Sequence, residues 1–239
     1  MPAGRFGIKM ARLLIHVEGE TEEGFVDEVL RNHLLAKGYH DVSARIIGNA
    51  RLRAQRGGIR GWPSVRAEIV THLKKDRDRI ATTMVDYYGL PHKGGGAWPG
   101  RAEARRIAID KRAACVEDAL LKDVTRAMGT RFNPGRFVPF VVMHEFEGLL
   151  FSDCAAFSRG IARPDLAPAF QEIRDRFRTP EEIDDSPDTA PSKRVEALVR
   201  GYEKPLLGNL AILEIGLARI RAECPHFDAW LKRLETLPR

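Results

Sequence analysis

Carboxylates collect at three places in this sequence, each directly after a short apolar run. Glu18, Glu20, Glu22 and Glu23 follow Arg12 to Val17; Asp86 follows Ile80 to Val85; Glu145, Glu147 and, further on, Asp153 follow Phe137 to Met143. Hard divalent cations such as Mg2+ take oxygen ligands, and two such ions can clamp the attacking and leaving oxygens of a phosphodiester. A pair of ions needs several carboxylates converging from separate elements, and this chain can supply them. Each acid also has a plainer role open to it. Glu20, Glu22 and Glu23 would suit the first turn of a helix, where negative charge meets the positive dipole end. Asp86 could cap a turn, and Glu145 and Glu147 could open a helix whose Phe146, Leu149 and Leu150 pack inward. The set as a whole is harder to explain in that way.

The elements that must carry these acids alternate between strand and helix. RLLIHV at Arg12 reads as a buried strand, and Thr21 as the N-cap of a helix with Phe25, Val26, Val29, Leu30 and Leu34 on one face, ending at Gly38. Val42 to Ile47 reads as a second strand, followed by a glycine- and arginine-rich loop from Gly48 to Gly61. A helix opens at Pro63 and Ser64 with Val65, Ile69 and Leu73 in phase, and IATTMV forms a third strand ending at Asp86. Tyr87 to Gly100 is turn and loop by its Gly and Pro content. A long helix over about Ala102 to Met128 and a fourth strand over Phe137 to Met143 come next. The remainder reads helical, interrupted by a Pro- and Asp-rich loop from Thr179 to Pro191. Alternation of this kind predicts an α/β fold, a mainly parallel sheet of about four strands flanked by helices. The expected division is an α/β domain over residues 1–155 and a helical extension over 156–239 packed on it. In open parallel sheets ligands bind beyond the carboxyl ends of the strands, which is where the three groups of acids fall.

Composition narrows the function classes. The chain has 239 residues, 44% hydrophobic and 30% charged, an ordinary globular balance. Its longest apolar runs are far shorter than the roughly 20 residues of a membrane span. MPAGRFGIKM lacks the apolar stretch of a secretory signal, so a cytoplasmic protein is expected. Three separated cysteines without a CxxC give neither a disulfide framework nor a Cys-rich zinc site. Charge is uneven: between Asp41 and Ile80 ten basic residues face four acids, and Arg101, Arg105, Arg106, Lys111 and Arg112 add a second basic cluster. From Asp165 to Asp188 the sign reverses, with eight acids against three arginines. Such asymmetry points to an anionic partner such as nucleic acid, with Arg45, Arg51, Arg53, Arg56 and Arg60 tracking the backbone. Solvated arginine faces would look the same. Trp62, Tyr87, Tyr88 and Trp98 are candidates to stack unpaired bases, Tyr87 and Tyr88 foremost because they adjoin Asp86.

Other chemistries find no support. His144-Glu145 begins like a zincin helix, but Gly148 stands where the second histidine belongs. His16 lies inside a strand and reads as a core residue. No P-loop and no nucleophile elbow occurs, and Gly94 to Gly96 lacks the strand-to-helix setting of a phosphate loop.

The run Val17-Glu18-Gly19-Glu20-Thr21-Glu22 resembles the VEGxTE motif that opens the Toprim domain of OLD-family nucleases. Taken with VDYYGLP, HEFEGLLFSD, PSKR and CPHFDAWL in that order, VEGETEEGFV resembles the bacterial family DUF4276, which is grouped with Toprim-like proteins. The resemblance covers Leu13 to about Leu231. It implies a Mg2+- or Mn2+-dependent nuclease, often beside an AAA- or ABC-type ATPase partner in bacterial defence loci. Glu18 would then be general base or metal ligand, Glu22 would help hold a second ion, and Asp86 would bind metal. The Toprim D-x-D pair is broken here by Tyr88, so Glu145 and Glu147, with the same acid-x-acid spacing, would fill that role. Lys193 of PSKR, with Arg194 behind it, would neutralise charge developing on phosphate. The alternative within the same resemblance is a non-catalytic Toprim-like subunit that docks an ATPase through its acidic C-terminal region.

Overall fold

The structure is a computed structural model that describes residues 11–47, 59–183 and 189–238. Five strands, β1 (Arg12–Val17), β2 (Asp41–Ile46), β3 (Arg79–Asp86), β4 (Phe137–Val138) and β5 (Val141–Val142), form one parallel sheet. Its order is β2-β1-β3-β4, with β5 also paired to β3. The central strands β1 and β3 are buried almost along their whole length, as in a sheet covered on both faces. β2, at the edge, carries exposed and half-buried positions.

Helices cover both faces. On one lies α1, residues 20–35, built from Glu20–Phe25, a π-helical Val26–Leu30 and Arg31–Leu35. On the other lie α2 (Trp62–Lys75) and α4 (Ile109–Met128), whose buried Val65, Ile69, Val116 and Leu120 share a core with Ala81 and Val85. The short α3 (Arg101–Ala104) precedes α4. After β5 a 3-10 stretch, Phe146–Ser152, leads into α5 (Cys154–Gly160), α6 (Ala167–Arg174) and α7 (Pro191–Leu198). A π-helical turn, Lys204–Gly208, then opens α8 (Asn209–Ile215), followed by α9 (Leu217–Glu223) and α10 (Pro225–Thr236). These late helices do not make a core of their own. Phe227, Trp230 and Leu231 join Leu13, Ile15 and Phe25, and the Trp230 indole N–H donates to Thr82 Oγ1 at 3.0 Å. Among the described residues no helix is long and apolar enough to cross a membrane.

The sequence-based expectations for fold class and strand order of appearance hold, and three local ones change. Gly19, not Thr21, stands at the N-cap of α1; Thr21 is buried, and the Glu22 side chain accepts from the Gly19 N–H at 2.9 Å. The strand expected over 137–143 splits at Pro139, which has no N–H to give a ladder. Phe140 pairs with the Thr83 hydroxyl instead, donating from its N–H at 3.0 Å and accepting at its carbonyl at 2.9 Å. The helix expected over 102–128 breaks at residues 105–108. Ala104 and Ala113 are both buried, yet nine positions at 100° each would put them on opposite sides of one continuous helix. The break lets each bury its own face.

Candidate functional site at the carboxyl end of the sheet

The strand register sets the site. Val17 pairs with Met84 and Asp86 with Val142, so β1, β3 and β5 end at similar heights and release Glu18, Asp86 and Glu145 side by side. Glu22 comes one turn into α1. His144, wholly buried, takes a left-handed φ of 65° between β5 and Glu145, an uncommon conformation costing a non-glycine residue about 1–2 kcal/mol. That bend turns the chain out of the sheet and delivers Glu145 and Glu147 to the same end.

Three of the five carboxylates are held by backbone N–H groups of neighbouring segments. Glu18 Oε2 accepts from the Asp86 N–H at 3.3 Å, and Asp86 Oδ1 from the Phe146 N–H at 3.0 Å. Glu145 Oε2 accepts from the Ser192 N–H at 2.8 Å. Their charges are felt mutually. Burial first, then Glu18 and Glu147, pushes Glu22 up to about 7 from the ordinary 4.5. Burial, followed by Glu18, Glu22, Glu147 and Glu145, holds Asp86 well above the usual aspartate range. Glu18 and Glu147 are raised as well, again by burial first. So Glu18, Glu22, Asp86, Glu145 and Glu147, drawn from separate segments, meet as the sequence suggested.

Lys193 does not join them. Its ammonium sits on the exposed side of α7 and pairs with Glu196 Oε2 at 2.7 Å. Arg194 lies over the Phe177 ring and donates to the Thr189 carbonyl at 2.7 Å. The cation at the site is Lys204, whose Nζ stands 3.2 Å from Glu147 Oε1, a carboxylate with only 3% of its side chain exposed. Burial opposes the charge on Lys204, but Glu147, Glu145 and Asp86 outweigh it and raise its pKa. Gly24 helps bring this helix close: a Cβ there would clash with the Asn209 side chain. Beside Lys204, the Tyr202 hydroxyl is buried without a hydrogen-bond partner among the described residues, and burial and then Glu147 raise its pKa. Neither residue belongs to an acidic or motif-like run. The Lys-Pro start of a helix in 'YEKPLL' was the faint signal for Lys204.

Of the expected nucleic-acid contacts, Arg51, Arg53 and Arg56 lie outside the described residues. Arg45 pairs with Glu68. Arg60 is half-buried, and its carbonyl accepts from the Trp98 indole at 2.8 Å. Trp62, Tyr87 and Trp98 are packed inside, whereas Tyr88 is 36% exposed. The remaining acids are structural or peripheral: Asp153 caps α5 by accepting from the Ala156 N–H at 2.9 Å, and Glu20 is exposed.

Among the described residues no three His, Cys, Asp or Glu side chains form a ready-made metal cage. The carboxylates are instead turned toward backbone N–H groups and Lys204. The donor set is all oxygen, as hard cations require, and its mutual repulsion is opposed by a single ammonium among the described residues. On that chemistry the residue types suit a hard divalent cation.

Lys204→Met is expected to destabilise the protein by about 2 kcal/mol at pH 8, less than a fully buried pair because Lys204 is 41% exposed. Adding Glu147→Gln should restore most of that loss. Urea unfolding of the single and double variants gives the coupling, and additive losses would show that the pair is not the reason.

No curated protein and no solved structure matches the chain. A family model described as a domain of unknown function, DUF4276, matches residues 17–235, and the chain therefore belongs to that family.

Proposed function

We propose that this protein is a Toprim-like, metal-dependent nuclease that hydrolyses phosphodiesters of DNA or RNA. The observation that carries the reading is the convergence of five carboxylates from separate segments at the carboxyl end of a parallel sheet, where burial and neighbouring acids raise the pKa values of Glu18, Glu22, Asp86 and Glu147 beside the Lys204 ammonium. Glu18, Glu22, Asp86, Glu145 and Glu147 hold Mg2+ or Mn2+, and VEGxTE supplies the link to OLD-family Toprim domains. The cation, when bound, lowers the pKa of water and offsets phosphate charge. Glu18 would accept the proton of the attacking water. Lys204, not Lys193, neutralises charge on the phosphate oxygens.

The test is hydrolysis of labelled single-stranded and duplex DNA and RNA by the purified protein in Mn2+. Cleavage should appear with Mn2+ and vanish in excess EDTA; cleavage that persists in EDTA would end the metal-dependent reading. One observation favours a second role alongside: Leu206, Leu210 and Leu213 form an exposed apolar stripe on the helix that follows Lys204. A docking subunit for an ATPase would use such a stripe, yet it would have no need for Mn2+ affinity at the carboxylates.

A further inference from the structure

The four cations Lys93, Arg105, Arg106 and Lys111 are all exposed, and no ion pair reaches any of them among the described residues. Elsewhere exposed arginines are divided: Arg45, Arg159 and Arg178 each hold a carboxylate, whereas no ion pair reaches Arg77, Arg126 or Arg131 among the described residues, so what marks these four is their place beside the carboxylates. Four cations against Glu103 and Asp110 on this stretch leave a net positive face, and Lys93 and Arg105 lie close enough for both to act on His92, a charge balance suited to an external anion.

Their position is set by the fold. The loop after Asp86 starts at the carboxyl end of β3, and α4 runs back from there, so its first turn lies at the same end as the carboxylates. Ile109, Asp110 and Ala113 of that turn line a cleft of about 290 Å³ together with Met143, which directly follows β5. The loop is rigidly held. Arg101 is buried with its guanidinium 3.8 Å from the Tyr87 ring centre, and it donates to the Tyr87 carbonyl at 3.1 Å and hydroxyl at 3.0 Å. His92 bonds to Arg105, which fixes one of the four cations. Tyr88 is tied by its N–H to the His144 carbonyl at 3.1 Å, yet its ring stays exposed. Next to it, a Cβ on Gly89 would lie 3.6 Å from Glu18 Oε1, so this turn borders the carboxylates directly.

We infer that a single strand of nucleic acid enters the site over Tyr88 and runs along the ridge of Lys93, Arg105, Arg106 and Lys111. The inference rests on the nuclease reading and names its substrate form: the ridge takes phosphates, and the Tyr88 ring stacks a base at the edge of the carboxylates. A paired base would not be available to that ring. The arginines after β2, by contrast, are not needed for this path.

The experiment measures binding of a fluorescent oligothymidylate, about 20 nucleotides long, and of a matching duplex, across a salt series in EDTA so that nothing is cleaved. Replacing all four ridge residues by Ala should weaken single-strand binding and lower the salt slope by about 3, since each phosphate contact on a single strand contributes about 0.7. Tyr88→Ala should weaken single-strand binding about tenfold with an unchanged slope, and Tyr88→Phe should restore it. A control that replaces Lys74, Lys75, Arg77 and Arg131, exposed at the opposite end of the sheet, should leave the slope unaltered. A wild-type slope in the ridge variant, or an equal fall in the control, overturns the ridge. Duplex binding as tight as single-strand binding, with no effect of Tyr88→Ala, overturns the single strand. Ridge binding without Mn2+-dependent cleavage would remove the nuclease reading alone; cleavage with an unchanged ridge slope would remove this inference alone.

Discussion

Glu18→Gln and Asp86→Asn should each abolish Mn2+ binding while leaving a folded protein. Both side chains are held by main-chain groups that an amide can still satisfy: Glu18 Oε2 accepts from the Asp86 N–H, and Asp86 Oδ1 from the Phe146 N–H. The geometry of the strand ends should therefore survive. What disappears is one negative charge from a set in which Glu145 and Glu147 raise the pKa of Glu18, and Glu18, Glu22, Glu147 and Glu145 raise that of Asp86, in each case after burial. Loss of a ligand should weaken affinity by more than about 100-fold, the upper end of what losing an outer partner of a ligand costs. Titration calorimetry of wild type and both variants, with circular dichroism as the folding control, reads this directly. Unchanged Mn2+ affinity in both would place any bound ion elsewhere. Cleavage should fall with affinity, so an active Glu18→Gln enzyme would remove that residue from the chemistry.

The second large effect concerns pH. Glu22 is pushed up to about 7 in the folded protein, chiefly by burial and then by Glu18 and Glu147, from an ordinary 4.5. A raised carboxyl pKa means that the folded state binds the proton more tightly than the unfolded chain. Its contribution to stability is complete below 4.5 and is lost as pH rises through about 7. The shift corresponds to roughly 3 kcal/mol once the group is ionised in both states. Asp86, Glu18 and Glu147 shift in the same direction. Metal-free protein should therefore lose stability between about pH 5 and 8, where many proteins are at their best. Glu22→Gln keeps an oxygen to accept from the Gly19 N–H, and it should be more stable than wild type by up to about 3 kcal/mol at pH 8 and by almost nothing near pH 4. Urea denaturation in EDTA at a series of pH values provides the comparison. A gap that does not widen with pH would mean that repulsion within the cluster is not what limits stability. Mn2+ added at pH 8 should close the gap from the wild-type side, because only the wild-type cluster retains its full charge to bind it.

The same cluster shows how a site can work against the fold that carries it. Four buried or half-buried carboxylates with raised pKa values, and a histidine in a left-handed turn, are locally unfavourable choices. Local strain of this type concentrates where binding or chemistry occurs. The surrounding sheet, sealed on both faces by aromatic and aliphatic side chains, supplies the stability that tolerates it.

Much of this was legible in the residues themselves. Apolar runs of strand length, alternating with helical periodicity, determined a parallel sheet covered on both faces, because only that architecture buries strands without a polar side. The acids following those runs had to lie at the carboxyl ends, since a strand's last residue fixes where its successor emerges. Glu18, Asp86 and Glu145 could be placed together on that ground alone. Other features depended on distances that sequence does not encode. Ala104 and Ala113 had to be seen buried in the same core before the break between α3 and α4 made sense, since one continuous helix would put them on opposite sides. Lys193 sits in a motif-like run yet faces solvent, because α7 turns it toward Glu196. Lys204 carries only the faint signal of a Lys-Pro helix start and reaches Glu147 because the late helices fold back across α1, where Gly24 leaves room for Asn209. Periodicity records which face of an element is buried; which charge stands opposite another across the fold is decided by packing between elements distant in the chain.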